Sequence, residues 1–234
     1  MLSLNFWCLN LRIRVMDLKH CTEKTVLWSN QSRFLILPVM SGDLNGKVIV
    51  IMGVSGVGKS TVGEMLARAI HSDFLDADDF HPPSNKDKMG RGIPLSDEDR
   101  IPWLETIRES LRKRLLDGET VALGCSSLKK QYREILRAAD PDYNPGSNSS
   151  SKVRFVLLEA NEEVIAARLE KRAAEGKHFM PPTLLRSQLD LLEVDENEGI
   201  FKINAVLSPD VIVNRIVELT SLSADSLKQI EDRI

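Results

Sequence analysis

An α/β fold on a parallel sheet is predicted by three observations along this chain of 234 residues. Short, β-branched, continuously apolar runs recur, the mark of strands buried on both faces. Segments with apolar residues at helical spacing separate them. The first run also leads into a glycine-rich turn that opens the first helix. Strands alternating with helices imply parallel strands joined by right-handed crossovers. Apolar residues at 42% and charged residues at 28% are ordinary for a globular chain and exclude wholesale disorder.

Val48–Ile51 is the first strand, and Val62, Met65, Leu66, Ala69 and Ile70 mark the helix after the turn. Asp73–Asp76 is a short second strand. Residues 77–100 are polar and hold Pro82, Pro83, Gly90, Gly92 and Pro94, so a long functional loop with one helical turn is expected. Leu104, Ile107, Leu111 and Leu115 give an amphipathic helix, with Pro102 near its first turn, where a missing N–H costs little. Thr120–Cys125 reads as a strand, Lys129–Ala139 as a helix and Val153–Leu158 as a strand. Asn161 is placed to cap a helix running to Ala174, with Glu162 and Glu163 complementing its dipole. Ser208-Pro209 starts a last helix carrying Ile212, Ile216 and Leu219.

Residues 1–46 are expected to form a loosely ordered extension, 47–222 the folded domain and 223–234 a tail. The turn-rich stretch 140–151 reads as a flexible insertion. The extension holds five basic and three acidic residues, leaving 26 and 31 for the rest. Asp17 and Glu23 count against a transit peptide, and Asn5, Asn10 and Arg12 break the apolar core a signal peptide needs. The whole chain has 31 Lys+Arg against 34 Asp+Glu, so no basic excess asks for nucleic acid. No apolar run approaches a membrane span. Three cysteines, Cys8, Cys21 and Cys125, lack zinc spacing and fit a reducing, cytoplasmic setting.

Gly53-Val54-Ser55-Gly56-Val57-Gly58-Lys59-Ser60, followed by Thr61, is a complete G-x-x-x-x-G-K-[ST] phosphate loop in the strand–turn–helix context that motif requires. Glycines let successive backbone N–H groups approach phosphate oxygens, and the helix start adds positive potential. Lys59 is the residue expected at the β and γ phosphates, and Ser60 the hydroxyl expected on Mg²⁺. Asn85-Lys86-Asp87-Lys88 fails the guanine-reading N-K-x-D pattern at its last residue, which disfavours a GTPase. A small-molecule kinase needs a carboxylate facing the phosphates and cations to hold an acceptor. Asp76 and Asp78, which strand alternation would turn to one side, lie where open α/β sheets bind ligands.

The phosphate loop, Asp78-Asp79-Phe80-His81-Pro82, Asn85-Lys86-Asp87-Lys88-Met89 and Gly92–Leu104 together resemble the gluconokinase family. So do Cys125-Ser126-Ser127-Leu128-Lys129-Lys130 with Tyr132-Arg133, and His178-Phe179-Met180-Pro181 followed by Ser187-Gln188. The resemblance spans about 47–220. It implies a P-loop NTPase fold, three-layer α/β/α with a central five-stranded parallel sheet, similar to nucleoside monophosphate and shikimate kinases. A small helical lid is expected at about 168–192, where Ala173–Lys177 expands on the family pattern. The implied reaction is ATP-dependent phosphorylation of D-gluconate to 6-phosphogluconate, in a homodimer. A shikimate-type kinase and a non-catalytic nucleotide-binding module are the competing expectations.

Under that resemblance Asp78 accepts or orients the 6-hydroxyl proton and joins Ser60 in holding Mg²⁺, with Asp76 in reserve. Lys88, Arg100 and Arg133 are the candidate cations for a carboxylate or phosphate, arginine offering the bidentate fork. His81, Ser127, Lys129, His178 and Gln188 complete the acceptor set. Trp103 is expected to pack beneath it. Arg168 and Arg172, four apart on one helix, are the lid arginines expected to stabilise charge on the transferring phosphoryl group.

Overall fold

The computed structural model describes residues 46–145, 151–175 and 184–221. Five parallel strands form one sheet in the order β2-β3-β1-β4-β5. They are β1 (Val48–Met52), β2 (Asp73–Asp76), β3 (Val121–Gly124), β4 (Val153–Glu159) and β5 (Phe201–Asn204). The helices are α1 (Lys59–Ala69), α2 (Pro83–Gly90), α3 (Asp97–Leu116), α4 (Lys130–Arg137), α5 (Glu162–Ala174), α6 (Leu185–Leu191) and α7 (Pro209–Ser221).

The side-chain period of two on β1 divides the core between the two faces of the sheet. Ile49 and Ile51 join Leu66 of α1, Ile165 of α5 and Ile216 of α7 in one cluster. Val48, Val50 and Met52 join Leu104 and Leu111 of α3 and Leu136 of α4 in the other. Every residue of β1 is buried, so its unbroken apolar run is what a strand sandwiched between helices requires. The three-layer α/β/α architecture expected from sequence is the one observed.

The chain leaves β1 for β2, two positions away, and later crosses from β3 to β4 on the opposite flank of β1. That reversal makes the carboxyl end of β1 a topological switch point, where open α/β sheets leave a crevice for ligands.

Two expectations need correction. The stretch expected as a long loop contains α2, preceded by a 3₁₀ turn at Ala77–Phe80. Its polar sequence hides two buried anchors, Asn85 and Met89, too few to show as a helical stripe. Helix α3 also begins earlier than its apolar period, because Ser96 and Asp99 form a reciprocal capping box, a pairing that fixes a helix start. Pro102 therefore lies inside the helix rather than in its first turn.

Arg133 was expected at the acceptor, but the structure buries it completely. Its Nε and Nη2 donate to Glu198 at 2.7 and 2.8 Å, Nη1 to the carbonyls of Ser127 and Leu128, and Nη2 also to that of Glu193. All five guanidinium donors are thus engaged within the fold. Arg137 joins from 3.6 Å and lies over the Phe155 ring. Burial alone would raise the Glu198 carboxyl pKa, but Arg133 and Arg137 hold it below its ordinary value. Removing the carboxylate leaves buried cations uncompensated, so Glu198→Ala is expected to lower unfolding free energy by about 3–5 kcal/mol in urea titrations at pH 7. Because the folded pKa is depressed, that contribution is present above the unfolded carboxyl pKa and is lost as pH falls through the folded one.

Candidate active site

The phosphate loop runs from Gly53 to the first turn of α1. Gly53 (φ 135°), Gly56 (φ 82°) and Gly58 (φ 112°) all have positive φ, a region open to glycine. Space forbids a side chain as well. A Cβ on Gly53 would meet the Leu158 carbonyl oxygen at 2.9 Å, and one on Gly56 would meet the Leu169 side chain at 2.8 Å. Half-buried Lys59 donates from Nζ to the Val54 carbonyl at 3.0 Å. Burial lowers its pKa, against the pull of Asp78 and Asp76, so anionic oxygens arriving here would restore the ammonium's lost stabilisation.

Asp76 ends β2 and does two jobs. Its Oδ2 accepts from the Ser60 hydroxyl at 2.9 Å, and its Oδ1 accepts from the Asp78 backbone N–H at 3.0 Å. Asp78 is therefore carried past the strand on the 3₁₀ turn and not along it, so strand alternation does not relate the two acids. The metal was expected at Ser60 and Asp78. The structure sets Asp76 on the Ser60 hydroxyl and puts Asp78 in the wall of a neighbouring cavity.

That cavity, of about 40 Å³, brings together Ser55, Lys59, Asp78, His81, Arg100 and Gln188 over Trp103. His81 stacks on Trp103 with ring centroids 4.0 Å apart, and the indole N–H donates to the Ala77 carbonyl at 2.8 Å. Burial, reinforced by Lys86 and Arg100, pushes the His81 pKa down to about 4. Buried Arg100 donates to the Tyr132 hydroxyl at 3.5 Å, and Tyr132 donates in turn to Asp97. Gln188 Oε1 accepts from the Ser55 backbone N–H at 2.6 Å. The cavity wall thus reaches the phosphate loop directly.

Besides Arg133, three expected acceptor residues stand outside this wall. Lys88 is held by Asp99 at 2.6 and 2.8 Å, and Lys129 by Asp97 at 2.9 and 2.8 Å. Ser127, fully buried with φ 45°, lies behind the wall and offers its carbonyl to Arg133. His178 lies outside the described residues. Burial raises the neighbouring Cys125 thiol to about 11, leaving it unreactive.

A second cleft, of about 360 Å³, opens on the other side of the loop between Gly56, Gly58, Thr61, Arg168, Arg172 and Leu207. Arg168 donates to the Val57 carbonyl at 3.1 Å and the Ala205 carbonyl at 2.9 Å. Both candidate lid arginines therefore face this cleft. Sequence reasoning missed the direct Asp76–Ser60 bond, although the D-x-D spacing signalled carboxylates there. It also missed buried Asn85, whose helix gave no apolar period.

A phosphate loop at the switch point, with carboxylates beside it and a cavity on each side, defines a phosphate-loop kinase acting on a small acceptor. The family described as "AAA domain" matches residues 48–193. The gluconokinase of Arabidopsis thaliana is 71% identical over 181 residues, covering 77% of this chain and 96% of that protein. The crystal structure of a gluconokinase from Sinorhizobium meliloti superposes with a TM-score of 0.64 at 39% identity, covering 79% of this chain and 97% of that one. An APS kinase of Mycobacterium tuberculosis shares the fold at TM-score 0.53 and 18% identity, covering 76% of this chain and 99% of its own. The chain belongs to the gluconokinase family.

Gln188→Glu would set a full negative charge on Ser55 N–H, facing the phosphates of any bound nucleotide. Hydrogen bonds to charged groups are worth about 1.5–3 kcal/mol, so the nucleotide Kd measured by calorimetry is expected to rise roughly tenfold or more.

Proposed function

We propose that the protein transfers the γ-phosphoryl group of ATP to the 6-hydroxyl of D-gluconate, giving 6-phospho-D-gluconate and ADP. The observation that carries this reading is the meeting of two cavities at one lysine-bearing loop. The larger cleft takes the nucleoside end, and the smaller presents Asp78 and Arg100 to a polar anion. Family membership supports the choice of substrates.

In this mechanism the loop N–H groups and Lys59 hold the β and γ phosphates. Arg100 pairs with the aldonate carboxylate, its fork matching two carboxylate oxygens. Asp78 orients the 6-hydroxyl and takes its proton as oxygen attacks phosphorus and the bond to the ADP oxygen breaks. The loose transition state of phosphoryl transfer asks for positioning and charge neutralisation more than for a strong base. Arg172, on the far side of the loop, adds positive charge toward the same phosphates.

Among the described residues no three metal-ligating side chains cluster. Mg²⁺, which is commonly held by one or two carboxylates together with substrate phosphates, fits the Ser60–Asp76 pair. Those two residues would hold it, and it would supply charge neutralisation between the β and γ phosphates. Asp76 also keeps Asp78 in place through the backbone N–H bond.

The direct test is acceptor-dependent ADP release with gluconate, shikimate and nucleoside monophosphates offered in parallel. Turnover is expected with gluconate alone. Turnover only with shikimate would transfer the site to a shikimate-type kinase, and nucleotide binding without turnover would indicate an idle binding module. Lys59→Ala is expected to cut kcat/KM by at least about 10²–10³, the scale of losing one preorganised donor, with an unchanged melting profile. Asp78→Asn is expected to lower kcat by roughly 10²–10⁴, the range of general acid–base contributions, while the ATP Kd holds steady. An effect confined to KM would move the proton-accepting role to another residue.

A further inference from the structure

Buried Asn85, on α2, belongs to neither cavity wall, yet its side-chain amide decides the chemistry of one wall residue. Its Nδ2 donates to the Asp99 backbone carbonyl at 2.9 Å. A carbonyl oxygen only accepts, so this contact fixes which end of the amide is nitrogen. The same amide nitrogen lies 3.4 Å from His81 Nδ1, and being only a donor it requires a lone pair on Nδ1. The proton of the neutral ring then resides on Nε2. Nε2 faces Asp78 Oδ1 at 3.9 Å. Stacking on Trp103, with the rings 15° from parallel, opposes a ring flip, and the indole N–H is itself held by Ala77, the residue before Asp78.

We propose that Asn85 locks His81 in the Nε2–H tautomer, whose N–H edge orients the Asp78 carboxylate electrostatically across 3.9 Å, making His81 and Asn85 positioning residues for phosphoryl transfer. Oδ1 of Asp78 is the oxygen that faces the imidazole Nε2, and holding that edge sets the angle at which the carboxylate meets the acceptor hydroxyl. The burial that keeps the imidazole neutral supports this without being needed for it, since the hydrogen-bond polarity alone sets the tautomer. The inference rests on the proposed role of Asp78 in the reaction, but the tautomer itself does not.

Two-bond ¹H–¹⁵N correlation on the ¹⁵N-labelled full chain reads the tautomer, with His81→Gln assigning the signal among the four histidines. The expected pattern is Nε2 protonated and Nδ1 bare. An Nδ1–H tautomer, an imidazolium or a mixture of tautomers would overturn the proposal whatever the acceptor proves to be. Asn85→Leu is expected to shift the ring to a mixture and to lower kcat about 10- to 100-fold, the scale of outer-shell partners, leaving the ATP Kd unchanged. A shifted tautomer with unaltered kcat would refute the orienting role. Gln carries an N–H near the Nε2 position, so His81→Gln is expected to retain most of the kcat that His81→Leu loses. Equal loss in both would refute the donor assignment even if Asn85→Leu does not fold. Absence of gluconate-dependent ADP release in the unaltered protein would instead strike the functional reading and leave the spectrum to judge the tautomer.

Discussion

The close approach of β4 and α5 to the phosphate loop is the constraint on which the rest of the site depends. The Leu158 carbonyl crowds Gly53, and Leu169 crowds Gly56. Neither position has room for a Cβ, so the neighbouring elements hold the loop against a sheet edge already fixed by β1. Arg168 adds a third restraint by donating to the Val57 carbonyl from α5. A loop held in this way has its backbone path set in advance, and fixed dipoles contribute most to stabilising charge when they are preorganised.

Charge pairing divides the arginines into two kinds. Arg133 spends all its donors on Glu198 and three backbone carbonyls, stitching the loop after β3 to the return from α6. Arg100 is also buried, but the hydrogen bond it donates goes to a neutral tyrosine hydroxyl, with Asp97 one step behind and already shared with Lys129. A desolvated guanidinium with so weak a partner gains far more from an arriving carboxylate than one already paired. Position in sequence could not separate these two arginines, because both lie in stretches that resemble the same family.

Much of the fold was legible because it rests on local signals. The unbroken apolar run of β1, the complete phosphate-loop motif and the helical period of α3 each identify their element without tertiary help. Elements fixed by tertiary contacts were not legible. Helix α2 owes its place to two buried residues. Arg133 looks like a ligand until Glu198, 65 residues on, appears beside it. At the site, the loop residues, Lys59, Asp78, His81, Arg100 and Gln188 were named from sequence and the structure brings them together. Lys88 and Lys129 were named too, but each is tied to an acid at the start of α3, a pairing invisible in one dimension. The Asp76–Ser60 bond is not legible in sequence because strand alternation ends at Asp76, where the backbone turns 3₁₀.

If the smaller cavity takes the acceptor as proposed, an imbalance of hydrogen-bond types would set its selectivity. Lys59 and Arg100 only donate, Asp78 only accepts when ionised, and the backbone N–H of Ser55 is occupied by Gln188. A ligand suited to that wall carries negative charge at one end and a hydroxyl with a proton to give at the other. A neutral polyol would leave Arg100 without a counter-charge, and a dicarboxylate would set like charges against Asp78. The cavity of about 40 Å³ has room for only a few waters. The Gln188–Ser55 bond joins this wall to the phosphate loop. In the proposed reaction that single hydrogen bond would link the acceptor site to the loop that holds the nucleotide.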